Sequence, residues 1–250
     1  MHLLEKVAHE IQPGWSIADG PVLEVPWLGE FSTGGVDTLA AALASFPGCP
    51  LGQAWRTLPE ADFLPGSVRA GWCGQTVWVY ADLVDADAFT RAADRAGDGF
   101  ERFWELGDVF EMMFRPAGQA AYWELHVTPN NRRAQLRFRD SKHLRELQRT
   151  GRFETAALPD EVFHSTVWVR PEQRRWRLLA EIPAGKILDR PGSLAGTEWQ
   201  FSFSRYEYAR GRTEPVLSST SAHRVLDFHR QTDWGRLRFG PGPQADGETD

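Results

Sequence analysis

The stretch DVFEMMFRPAGQAAYWELHV, residues 108–127, decides the fold. Along 108–115, Phe110, Met112 and Phe114 fall on one face and Val109, Glu111 and Met113 on the other. That period of two is what a β-strand imposes on its side chains. Pro116 and Gly118 break the run, and the alternation then resumes. Trp123, Leu125 and Val127 now oppose Tyr122, Glu124 and His126. Two alternating runs joined by a short Pro/Gly segment read as an antiparallel hairpin with one apolar and one mixed face. A slip of one residue in the pairing exchanges the faces. Glu111 therefore shares a face with Glu124 and His126, or with their opposites; the pattern alone leaves both open.

The same alternation extends outward in both directions. After a turn at Pro129–Asn131 comes AQLRF (134–138). Upstream, residues 68–84 read as two strands about a turn at Gly74, with Val77, Val79, Ala81 and Leu83 alternating with Trp78, Tyr80 and Asp82. Downstream, STVWVRP (165–171) and WRLLAEIP (176–183) flank a polar turn. TEWQFSFSRYEY (197–208) sets Trp199, Phe201 and Phe203 against Gln200, Ser202, Ser204 and Tyr206, and GRLRF (235–239) closes the series. Helices are expected at Asp37–Phe46, with Asp37 as N-cap candidate, and at Ser141–Thr150, ending at Gly151. They do not alternate with strands as βαβ units require. The expectation is an all-β fold: a two-sheet antiparallel β-sandwich, Ig-like or jelly-roll in type, with one or two short helices. Residues 1–240 form one domain, and 241–250, rich in Gly, Pro and acid, form a disordered tail.

Composition narrows the function classes. The 250 residues carry 28 basic and 34 acidic side chains, a net charge of −6, without a basic cluster. That excludes nucleic acid as an expected partner. No apolar run suits a signal peptide or a membrane span, so the chain as it stands reads as cytoplasmic, or extracellular if a leader was trimmed. Eleven Trp are many. An indole needs a use for both its face and its N–H, and stacking on sugar rings is one such use, beside core packing. Cys49 and Cys73 either pair or stay reduced. The sequence lacks HExxH, GxSxG, GxGxxG and P-loop signatures.

Chemistry concentrates in FWELGDVFE (103–111) and LDFHRQTDWGRLRF (226–239). Trp104 offers a stacking platform beside a turn, and Glu111 an acceptor for hydroxyls. Phe228, His229 and Trp234 crowd the loop before the last strand. Glu105, Asp108 and Glu111 lie within one short segment, as irregular calcium ligands or turn caps do. Glu111 with Glu124 or Asp108 also satisfies the minimal requirement of a glycoside hydrolase, two carboxylates about a glycosidic bond. Met112 or Met113 with His126 or His229 satisfies that of haem or metal ligation, although core methionines are usually filler.

The order WELGDVFEMMF, YWELHVTPNN, WRLLAEIP, WQFSFSRYEY and DFHRQTDWGRLRF resembles the pattern of the family 9 carbohydrate-binding modules, over about Trp15 to Phe239. The resemblance implies a DOMON-like sandwich that binds an oligosaccharide or a polysaccharide end without catalysis. It implies company with a glycoside hydrolase or similar enzyme in polysaccharide breakdown, and no cofactor except, in some members, calcium. It places Trp104 as one clamp aromatic, Phe228 or His229 as the second, and Glu111 as the glutamate that bonds sugar hydroxyls. Glu124 stands where xylanase-linked members carry Arg, and Ser202 and Ser204 where they carry Asn and Gln, so the individual sugar contacts differ.

Overall fold

The computed structural model describes residues 20–29, 35–92, 100–159, 161–190 and 192–242. Trp15 and most of the expected acidic tail lie outside them. Two sheets are built from β1 (Val22–Val25), β2 (Cys49–Pro50), β3 (Gly66–Cys73), β4 (Thr76–Val84), β5 (Val109–Pro116), β6 (Tyr122–Val127), β7 (Arg133–Phe138), β8 (His164–Arg170), β9 (Arg175–Pro183), β10 (Glu198–Glu207), β11 (Val216–Ser219) and β12 (Gly235–Phe239). The seven-stranded sheet runs β1-β12-β10-β5-β6-β7. The first half of β10 pairs with β12 and its second half with β11. The five-stranded sheet runs β2-β3-β4-β9-β8. Every pairing between these strands is antiparallel except β1 with β12, which is parallel and so departs from the antiparallel expectation at one edge.

The hairpin of residues 108–127 forms with the register Glu111↔His126 and Met113↔Glu124. This settles the open choice, because directly opposed residues point to the same face. Phe110, Met112 and Phe114 of β5, Trp123, Leu125 and Val127 of β6, and Trp199, Phe201 and Phe203 of β10 face inward. They meet Val77, Val79, Ala81 and Leu83 of β4 and Trp176, Leu178, Ala180 and Ile182 of β9. The alternation thus delivers one apolar face per sheet, and the two faces close on each other.

Two helices complete the fold. α1 (Gly35–Ala44) holds Asp37 inside its first turn, so Asp37 does not cap it. α2 (Ser141–Thr150) is capped by Asp140, whose carboxylate accepts from the His143 amide at 2.8 Å, and ends on Gly151 at φ +69°. Leu144 and Leu147 of α2 pack with Met113, Tyr122, Leu136, Phe138, Phe228 and Trp234. This second apolar layer roofs the outer face of the seven-stranded sheet. Cys49 sits beside Val68 and Cys73 five residues further along β3, about 16 Å away at strand rise, and both thiols are free. No helix among the described residues is long and apolar enough to cross a membrane.

Candidate functional site

The polar residues of β5, β6 and β10 share the outer face. One cross-strand row reads Ser204, Glu111, His126, and the next Ser202, Met113, Glu124. Because the roof covers them, these groups are buried: Glu111 is 2% exposed, Glu124 4% and His126 0%. His126 Nε2 lies 2.5 Å from Glu124 Oε1 and 3.6 Å from Glu111 Oε1. Glu124 Oε2 has no hydrogen-bond partner and lies 3.6 Å from His229 Nε2. The Tyr122 hydroxyl is 3.1 Å from His229 Nδ1. His126 Nδ1 is buried and also lacks a hydrogen-bond partner.

Two buried carboxyls this close do not both ionise readily. Burial, seconded by the Glu124 charge, holds the Glu111 carboxyl well above the ordinary range. Burial acts on Glu124 in the same sense, but the His229 and His126 imidazoles outweigh it and keep its carboxyl below the ordinary value. The two carboxyls are thus pushed in opposite directions.

Trp104 occupies a 3-10 turn, Phe103–Glu105, and is half-buried. Its indole meets His126 edge-on at 5.5 Å, Phe153 at 6.0 Å and Phe100 at 6.2 Å. Phe228 is 6% exposed, against Trp55, Tyr206 and His223. Trp104 and Phe228 have no ring partner in common. His229, the other clamp candidate, reaches open space. It lines a cleft of about 620 Å3 with Arg115, Gln200, Asp227 and Gln231. Arg115 donates to Gln231 Oε1 at 2.8 Å and also bonds the Gln200 side-chain oxygen.

The acids of residues 105–111 disperse. Glu105 is exposed and pairs with Arg102 at 3.3 Å. Asp108 is buried and accepts from the Tyr208 amide at 2.6 Å; its burial pushes its pKa up to about 9. Among the described residues, Glu111 groups instead with Glu124 and His126. The Glu111–Glu124–His126 cluster does not fit calcium, which prefers six to eight oxygens, because an imidazole stands at its centre. Met112 faces the sandwich core, the opposite side of the sheet from His126, so those two cannot share a metal.

Reasoning from sequence missed His223 and Ser219. His223 Nε2 lies 3.2 Å from Ser202 Oγ, and Ser219 Oγ is 3.2 Å and 3.3 Å from the hydroxyls of Ser202 and Ser204. Burial lowers the His223 pKa to about 4. The only signal was the Ser/Thr run 218–221, which resembles a loop.

No protein family and no curated protein matches the chain. Solved structures do. A chain described as a candidate carbohydrate-binding protein from Bacteroides uniformis superposes with a TM-score of 0.63 at 17% identity, over 88% of this chain and 100% of that one. A family 9 carbohydrate-binding module from Caldicellulosiruptor kristjanssonii in complex with cellotriose gives 0.56 at 13% identity, over 92% and 97%. A family 9 module of the same organism in complex with glucose gives 0.57 at 11%, over 90% and 99%. The described sheets, their order and these superpositions show that the chain has the fold of the family 9 carbohydrate-binding modules.

Proposed function

We propose that this protein binds carbohydrate without transforming it, and that the sugar enters the cleft at His229. The observation that carries the reading is the cleft itself, on a fold shared with modules in complex with cellotriose and glucose. Arg115, Gln200 and Gln231 offer planar groups that donate and accept side by side, as adjacent sugar hydroxyls require. Ring stacking falls to His229, since Phe228 is buried and Trp104 is packed by Phe100, Phe153 and His126. Association with a glycoside hydrolase, and any compartment, belongs to the same proposal.

The hydrolase alternative needs a glycosidic bond between two carboxylates. Glu111 and Glu124 are both buried and both face His126 Nε2, which leaves no sugar-sized gap between them. Titration of the tag-free protein with glucose, cellotriose and a wider glycan panel tests the proposal. Saturable binding without product is expected, weakened about 10-fold by His229→Ala, on the scale of one stacking contact. Failure of every glycan to bind, or release of a hydrolysis product, overturns it.

A further inference from the structure

The Glu111–Glu124–His126 cluster is more elaborate than a hydroxyl-binding face needs. Its carboxylate oxygens and imidazole nitrogen lie within 4.8 Å of one another, and every member is buried. Glu124 Oε2 is enclosed without a partner and looks toward His229 Nε2, 3.6 Å away. Leaving a buried carboxylate oxygen unpaired costs stability, so its persistence points to a ligand. We propose that Glu111, Glu124 and His126 form a binding site for a divalent transition-metal ion of the zinc class, with His229 beside it as an outer contact of Glu124.

The donor set selects the class of ion. Two carboxylates and an imidazole suit zinc, cobalt or a similar borderline ion, whereas calcium and magnesium favour oxygen alone. The spacing suits it too. Bonds of about 2.0–2.2 Å in a tetrahedron set neighbouring donors about 3.3 Å apart. The 3.6 Å separation of Glu111 Oε1 from His126 Nε2 is near that value. The 2.5 Å contact of His126 with Glu124, a direct hydrogen bond that an ion replaces, must open.

Charge closes the argument. A divalent ion balances two ionised carboxylates and leaves the buried site neutral. Tyr122 supplies the outer contact. Its hydroxyl, 3.1 Å from His229 Nδ1, holds the imidazole beside Glu124 Oε2, 3.6 Å from Nε2. His229 borders the cleft, which gives the ion its way in.

The test uses tag-free protein, stripped with chelator and folded as judged by circular dichroism, with zinc and cobalt salts as probes and no sugar present. The expected result is one equivalent bound, a higher Tm with zinc, and the intense visible bands of four-coordinate cobalt. Glu111→Gln preserves shape and should weaken binding by about 100-fold or more. His229→Ala removes the imidazole 3.6 Å from Glu124 Oε2 and, in protein whose melt shows it folded, should weaken binding by about 10-fold. Excess calcium should not compete. The proposal is overturned by any of three results: no bound metal in the wild type, equal binding in both variants, or displacement of the probe by calcium. Glycan titration in chelator reports on sugar binding separately, so failure of either reading leaves the other standing.

Discussion

Trp104 shows how the role of a residue depends on contacts its own neighbourhood in sequence does not disclose. The segment FWELGDVFE offers an aromatic before a strand, which is as compatible with a sugar platform as with a packing element. The structure surrounds its indole with His126, Phe153 and Phe100, from β6 and from segments on either side of it. Trp104→Ala should therefore cost about 2 kcal/mol of stability, below the 3–5 kcal/mol of a fully buried Trp because the ring is half-buried. Thermal and urea melts measure it, and an unchanged midpoint would return Trp104 to the role of exposed platform. Asp108 yields a second expectation. Its carboxyl titrates near 3.8 in the unfolded chain and about 9 when folded, chiefly through burial. The folded state thus keeps a proton that the unfolded state has released. Stability falls as pH rises across that window, by at most about 1.4 kcal/mol per unit for one group. Asp108→Asn retains an oxygen for the Tyr208 amide but cannot ionise. Urea unfolding across the window should show a shallower decline in the variant, and identical slopes would mean that Asp108 does not titrate there.

At the scale of elements, the long alternating strands were legible because each fixes its own faces. Residues 108–115, 120–127 and 197–208 read correctly, inward residues included. β1, β2 and β11 were not foreseen, since strands of two to four residues carry too little alternation to stand out from a loop. The roof was hidden for a different reason. The Leu144–Leu147 stripe announces an amphipathic α2, but which surface it covers is set by the chain's path. The mixed face of the hairpin is therefore buried under a second apolar layer. Entry into β5 depends on one backbone position. Gly107 has φ +146°, and a Cβ there would lie 2.5 Å from the Phe89 carbonyl oxygen and 2.6 Å from Thr90 Cα. Asp108 and Thr90 are tied across this approach by the Asp108 N–H to Phe89 carbonyl bond at 2.7 Å and the Thr90–Gly107 bridge. Gly107→Ala should lose about 3 kcal/mol, combining backbone strain with a clash against main chain that cannot rotate away. A Tm within error of wild type would contradict the close approach of the two segments.

At the scale of the molecule, the two sheets are joined by a buried charged contact as well as by apolar packing. The inward alternation of Trp199, Phe201 and Phe203 on β10 continues to Arg205, which is fully buried. Its guanidinium reaches the other sheet, donating at 2.7 Å to Asp85 Oδ2, just beyond β4, and at 2.7 Å to the Val84 carbonyl. The Trp176 indole of β9 donates to the same Asp85 oxygen at 3.1 Å, and Asp85 Oδ1 accepts from the amides of Asp87 and Ala88. Both side chains of the pair are 1% exposed, so each charge depends on the other for the solvation it has lost. Removing one partner leaves the other buried and unpaired, which typically costs about 3–5 kcal/mol. Arg205→Met and Asp85→Ala should each destabilise by that order in denaturant melts. The double variant should lose clearly less than the sum, because the second substitution removes a charge that the first had already orphaned. Strict additivity in this cycle would mean that the two residues stabilise the sandwich independently and that the sheets are held by their apolar faces alone.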